Sequence, residues 1–290
     1  MPPGTTRISL TRSVVAAIAA LVMLGPTVVP AAADGPTASN DYAPVGTLIP
    51  FTPAEQAILS QKHAFAEEIA RLESGNATPD GPDPCLPDER GNQHCFPLYG
   101  TLATHYRHQA NYYFCGPAAV QVVSNYSWGT GTTNKYSQSH ISSTWTHTSS
   151  DSGTTVSRER IGLNGASVLP SNFLYEEYQL SGSQVNAGVD WNDKLRSDVD
   201  NWEMPQVENV APHNPGWTYF LSSWPSAVTA SHYIVADGWD AIWDGQYSSS
   251  GASASYDDGS AGYSGSDGHF WNPARTVFYT IWKDQKYIIW

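Results

Sequence analysis

The chain has 290 residues with 14 Lys and Arg against 27 Asp and Glu, a formal net charge of −13. Binding to nucleic acid rests on basic surface that neutralises phosphates, so this balance excludes that class of partner. A low charged fraction (14%) beside a high aromatic one (12%), with long Ser/Gly/Thr/Asn stretches, suits a stable extracellular surface without naming a function.

Residues 1–33 carry Arg7 and Arg12 and no acid, then the apolar run "VVAAIAALVMLG", then small residues at Ala31 and Ala33. This three-part plan predicts a secretory signal peptide cleaved after Ala33. The run is about a dozen residues, short of the roughly 20 that cross a bilayer, and no later segment approaches that length. The expected mature product is an exported protein without stable membrane insertion, with 12 basic against 27 acidic residues and a net charge of −15.

Residues 34–97 read as an N-terminal extension. A Pro/Ala/Gly/Asp-rich leader precedes "TPAEQAILSQKHAFAEEIARLESG", where Thr52 and Glu55 form a capping box, Pro53 takes the first helical position and Gly75 is a stop. Ile58, Phe65, Ile69 and Leu72 recur at helical spacing, so the helix over 53–73 must dock, either on the back of the following domain or near a cleft as an inhibitory prosegment. Cys85 and Cys95 close the turn-rich stretch "CLPDERGNQHC", and in an oxidising compartment such neighbours pair, adding roughly 2–3 kcal/mol by loop-closure entropy. Cys115 is the odd thiol.

From about residue 98 to 290 the texture turns aromatic and β-branched. "CGPAAVQVVSNY" predicts a buried helix with Cys115 at its start. Residues 171–180 and 192–201 read as shorter helices. "PQVENV", "SHYIVADGW", "SASYDD", "TVFYTIW" and "KYIIW" read as strands between Gly/Ser/Asp turns. Helices first and strands later predict one α+β domain in which helices and an antiparallel sheet meet across a groove. Trp145, Trp202, Trp217 and Trp224 are expected to build its walls.

A cysteine at a helix N-terminus faces free backbone N–H groups and the positive end of the peptide dipoles, which favours its thiolate. A hydrolytic nucleophile further needs a base, a group orienting that base, and donors for the oxyanion. Gln109, six residues upstream, can fold its amide back beside the thiol. His232 on the strand "SHYIVADGWD" is the candidate base, and Asp257 or Asp258 on the next strand can hold its other nitrogen. Successive strand residues point to opposite faces, so only one of the two can do so.

The order Gln-x5-Cys-Gly-Pro-Ala-Ala, His-Tyr-Ile-Val leading to Gly-Trp-Asp, and Tyr-Asp-Asp resembles the C39-like peptidase family of the papain-like cysteine protease superfamily, over residues 98–290. The resemblance implies a papain-like fold, a Cys-His-Asp triad and a glutamine in the oxyanion hole, falling on Cys115, His232, Asp258 and Gln109, with Asp257 as the alternate acid. The family places Pro after that aspartate, where this chain has Gly259. The double-glycine leader substrates of transporter-fused relatives do not carry over, because spanning helices and an ATP-binding loop are missing. The implied activity is hydrolysis of peptide or protein substrates through an acyl-enzyme. Alternatives are a thiol-dependent amidase or acyltransferase acting on cell-wall or small peptides, or an idle papain-like scaffold that binds partners through the aromatic segment 217–243. No cofactor and no metal is expected: Asp257, Asp258 and Asp267 match no EF-hand loop, and His105/His108 and His140/His147 lack a zinc motif.

Overall fold

Residues 49–76, 85–87, 93–95, 99–228, 230–241, 243, 245, 251–260 and 267–290 are described by the structure, a computed structural model. The expected signal peptide and the leader up to residue 48 lie outside the described residues, as do the side chains of 65 and 68–98. No helix among the described residues is long and apolar enough to cross a membrane.

Helix α1 (Pro53–Asn76) begins on the expected capping box. The Thr52 N–H donates to Glu55 Oε2 at 2.7 Å and the Glu55 N–H to Thr52 Oγ1 at 3.3 Å, so two orphan donors are satisfied reciprocally. Leu59 and Lys62 are buried and Ala66 packs on the core, while Ile58 is half-buried; the side chains of Phe65, Ile69 and Leu72 lie outside the described residues. Strands β1 (Cys85–Pro87) and β2 (Gln93–Cys95) then pair antiparallel with Cys85 opposite Cys95. Opposed residues of such a ladder hold their Cα atoms about 4.5–5.5 Å apart, within disulfide range, so the backbone register suits the expected bridge.

The rest of the chain supplies β3 (Tyr99–Thr101), α2 (Cys115–Ser127), α3 (Gln138–Ile141), α4 (Val156–Ala166), β4 (Glu177–Gln179), α5 (Gln184–Arg196), β5 (Gln206–Val210), β6 (His232–Asp240), β7 (Ser253–Gly259), β8 (Asp267–Pro273), α6 (Ala274–Lys283) and β9 (Tyr287–Ile289). Seven strands form one antiparallel sheet in the order β4-β9-β5-β6-β7-β8, with β3 joined to the far end of β6. The α+β class is as expected. The helices do not all meet one face, however. Tyr233 and Val235 of β6 pack with α2 and α4 on one side, and Ile234 and Ala236 pack with α5 and α6 on the other. A strand covered on both faces reads as an uninterrupted apolar run, which is how "HYIVA" reads.

Three sequence expectations are corrected. Residues 171–180 are not helical: Phe173 and Tyr175 are buried in a loop that leads into β4, which pairs with β9. Residues 276–282 form most of α6 rather than a strand, because Ala274, Val277, Phe278 and Ile281 bury one helical stripe against the α5 side of the core. The helix expected at 192–201 begins earlier, at Gln184, capped by the Ser183 hydroxyl, and passes into a π-helical turn at Ser197–Trp202. Helix α4, capped by Thr155, and strand β8 were not foreseen.

Candidate active site

Helix α2 opens with Cys115 as its first residue, and Phe114 before it offers no side-chain cap. The backbone N–H groups of the first turn are therefore left for the site. Gly116 is required next: a β-carbon there would lie 2.4 Å from Thr154 Oγ1 and 2.5 Å from Glu159 Oε2, so any larger residue would push the first turn away from α4. Cys115 itself is half-buried and free.

His232 stands at the first position of β6, opposite Val210. Its Nε2 lies 2.8 Å from Asp258 Oδ1, and its ring lines one small cavity with Cys115, so thiol, imidazole and carboxylate adjoin. With Nε2 turned to Asp258, Nδ1 is the nitrogen left for sulfur. Asp258 is fully buried and held on both oxygens: Trp224 Nε1–H donates to Oδ2 at 2.8 Å, and the Ser260 hydroxyl donates to Oδ1 at 2.5 Å. Burial works to pull the His232 pKa down, but the charge and hydrogen bond of Asp258, with Cys115 adding to them, more than offset this and push it up to about 10. At neutral pH the imidazole holds its proton.

Gln109 reaches the same place from the other side. It lines a small cavity with Cys115, His232 and Gly259. Its N–H donates to the Gly259 carbonyl at 2.6 Å, and Nε2 donates to the Tyr112 carbonyl at 3.1 Å, leaving one amide N–H for another acceptor. The segment carrying it is braced on α2 and α3. Gln138 accepts from the Ala110 N–H, donates to the His108 carbonyl and donates to Gln121 Oε1 of α2. Gly259 is the second enforced glycine, since a β-carbon would lie 1.9 Å from the Arg107 carbonyl oxygen. Proline carries that same carbon, which accounts for glycine here where the resembled family has proline.

The four predicted residues thus converge, although Gln109 comes from a loop, Cys115 from a helix and the other two from neighbouring strands. Asp257, the alternate acid, points to the face of β7 opposite Asp258; it lines the same small cavity as Cys115 and His232, but no hydrogen bond joins it to the imidazole. Trp224 is not a groove wall: it is buried, sits edge-on to His232 at 5.2 Å and holds Asp258. Trp145 packs on Gly165, Trp202 on Phe173 and Trp217 on Tyr279, and none of them lines the cavity. Sequence reasoning missed Trp224, Ser260, Thr154 and Glu159 as supports of the site. Only Ser260 carried a signal, two residues beyond Asp258 and so on the same strand face. Glu159 is fully buried beneath Cys115 and Gly116, and burial, with the sulfur's charge adding to it, pushes its carboxyl well above the usual range.

Such a set can move a proton between sulfur and imidazole, fix the imidazole's orientation and offer amide donors to a developing oxyanion. No protein-family model matches the chain, and a search of curated proteins found no match.

Proposed function

We propose that this chain is an exported cysteine peptidase of papain-like fold, of the C39-like kind that its motifs resemble. The single observation that carries the reading is the His232 imidazole, held by the buried Asp258 carboxylate, lining one small cavity with Cys115 and Gln109. With the proton resting on His232, the Cys115 sulfur attacks the peptide carbonyl carbon. Its oxygen takes the negative charge and is held by the free Gln109 amide N–H and the Cys115 backbone N–H. As the C–N bond breaks, His232 gives its proton to the leaving amine and a thioester remains on Cys115. Water then loses a proton to His232, its oxygen attacks the thioester, and the acid product leaves as the sulfur is regenerated. Asp258 fixes the ring throughout, and Trp224 and Ser260 fix Asp258. The substrate is a peptide or protein segment; export is inferred from residues 1–33 alone.

The test is to incubate the purified chain with a diverse peptide library and map cuts by mass spectrometry. Cuts are expected with the wild-type chain and none with Cys115→Ala. A library left intact by the folded wild-type protein, or cut equally by both, contradicts the reading. Added amines that appear in the products in place of water would instead identify acyl transfer from the same thioester.

A further inference from the structure

The face of β7 opposite Asp258 holds a second cluster, whose Asp257 also lines the small cavity with Cys115, Gln109 and His232. Asp257 lies directly opposite His269 in the β7–β8 register. Asp237 comes from β6 at a bulge between Ala236 and Gly238, the irregularity that brings its carboxylate to the same face. One oxygen of each aspartate and one ring nitrogen of His269 lie within 4.8 Å of one another. Asp237 is positioned from behind: Ser255 Oγ donates to its Oδ1 at 2.6 Å, the Thr104 hydroxyl donates to Oδ2, and His269 Nε2 lies 3.2 Å from the carboxylate.

Asp257 is different. It is only 3% exposed, yet neither of its oxygens has a hydrogen-bond partner of acceptable geometry. The Thr104 hydroxyl has one proton and gives it to Asp237. Arg107 lines the same cavity, but its guanidinium donates to Asn134 Oδ1 and the carbonyls of His105, Tyr106 and Gly131. A buried carboxylate aimed at a second carboxylate and an imidazole, without donors of its own, is a costly arrangement unless something positive sits among them.

We propose that Asp237, Asp257 and His269 form a zinc site that ties β6, β7 and β8 together. Two carboxylate oxygens and one imidazole nitrogen are a donor set that zinc accepts, with a fourth position left for water. Calcium and magnesium take oxygen ligands, and the imidazole disfavours both. With bonds of about 2.0–2.2 Å, tetrahedral zinc needs donors roughly 3.3–3.6 Å apart, so the present spacing closes onto it by about an ångström. His269 is 40% exposed and gives the ion a way in. The hydroxyls of Ser255 and Thr104 are the outer groups that orient a ligating carboxylate.

The experiment is calorimetric titration of Zn2+ into the metal-free full chain carrying Cys115→Ala, which removes the reactive thiol as a competing ligand. One zinc per chain is expected, weakened at least ~10-fold by Asp257→Asn and by His269→Gln, and not displaced by excess Ca2+. Circular dichroism shows whether each variant is folded. Co2+ supplies an independent readout in the parent: a visible d–d band of tetrahedral intensity without a thiolate charge-transfer band. Absence of zinc binding, binding unchanged in both folded variants, or a cobalt spectrum dominated by thiolate overturns the site.

Discussion

A carboxylate can hold an imidazole in place only if it is itself held, and at Asp258 both oxygens receive donors, from Trp224 and Ser260. Removing the carboxylate charge removes the larger part of what raises the His232 pKa, leaving the contribution of Cys115 against the burial that lowers it. Asp258→Asn should therefore move the alkaline limb of kcat/KM down from near pH 10, read from a pH-rate profile on a cleaved peptide; an unmoved limb would separate Asp258 from the reaction. Trp224→Phe leaves one buried oxygen without its donor and should lower stability by about 1–3 kcal/mol in chemical denaturation. Gly259→Ala puts a carbon where the Arg107 carbonyl lies, forcing the Gln109 segment outward. Displacements of about an ångström at a reacting centre cost on the order of 100-fold. The expected result is a loss of that order in kcat together with a lowered melting temperature, and retention of full kcat would show that Gln109 is not an oxyanion donor. That Gln109, Cys115 and His232 would come together was legible from their residue types and spacing, and the choice of Asp258 over Asp257 came from the family resemblance. Trp224 was not legible, since its contact with Asp258 spans 34 residues of sequence and depends on the path of a loop.

At the scale of elements, α1 is anchored by a buried charge. Lys62 Nζ lies 3.1 Å from Asp198 Oδ1 and over the rings of Phe173 and Trp290, at 3.9 and 4.1 Å from their centres. Burial lowers the Lys62 pKa to about 8, with Asp198 opposing, and burial raises Asp198 to about 6, with Lys62 opposing. Lys62→Met strands a buried carboxylate and should destabilise the fold by about 3–5 kcal/mol, whereas Lys62→Met with Asp198→Asn should recover most of that loss. Thermal melts of the wild type, Lys62→Met, Asp198→Asn and the double variant decide it, and full additivity would dissolve the pair. Among the described residues, none of α1 lines the small cavity at Cys115, and Ala66 of α1 packs on the core. The helix's start was legible from the capping box, whereas the burial of Lys62 was not, because an apolar stripe carries no sign of a buried lysine. Helix α6 was misread because Thr276, Val277, Phe278, Tyr279, Thr280, Ile281 and Trp282 favour strands one by one, and packing of a stripe with helical period overrode that preference.

For the molecule as a whole, antiparallel strands and buried helices were readable as an α+β class, but helices on both faces of one sheet were not, because strand order is set by pairings distant in sequence. Several acids sit deep in this body. Burial pushes the Glu208 carboxyl up to about 8 against a hydrogen bond from Trp191, and Asp284 up to about 7 against one from Ser231. Each has a folded pKa above its unfolded value, so the native state binds more protons than the unfolded chain between about pH 4 and 8. Their contribution to stability is complete below about pH 4 and is lost as pH rises through 7 to 8. Raised His232 acts in the same direction, from 6.5 up to about 10. The melting temperature should accordingly be higher at pH 5 than at pH 8.5, and a rise over that interval would contradict the placement of these groups. All the chemistry proposed here passes through one covalent species. Acid-quenching the reaction with a slowly hydrolysed activated ester of a cleaved peptide, then measuring intact and digested mass, should find the acyl group on Cys115 in the wild-type chain and on no residue in Cys115→Ala; peptide turnover by Cys115→Ala at the wild-type rate, with no acyl group on Cys115, would contradict the account.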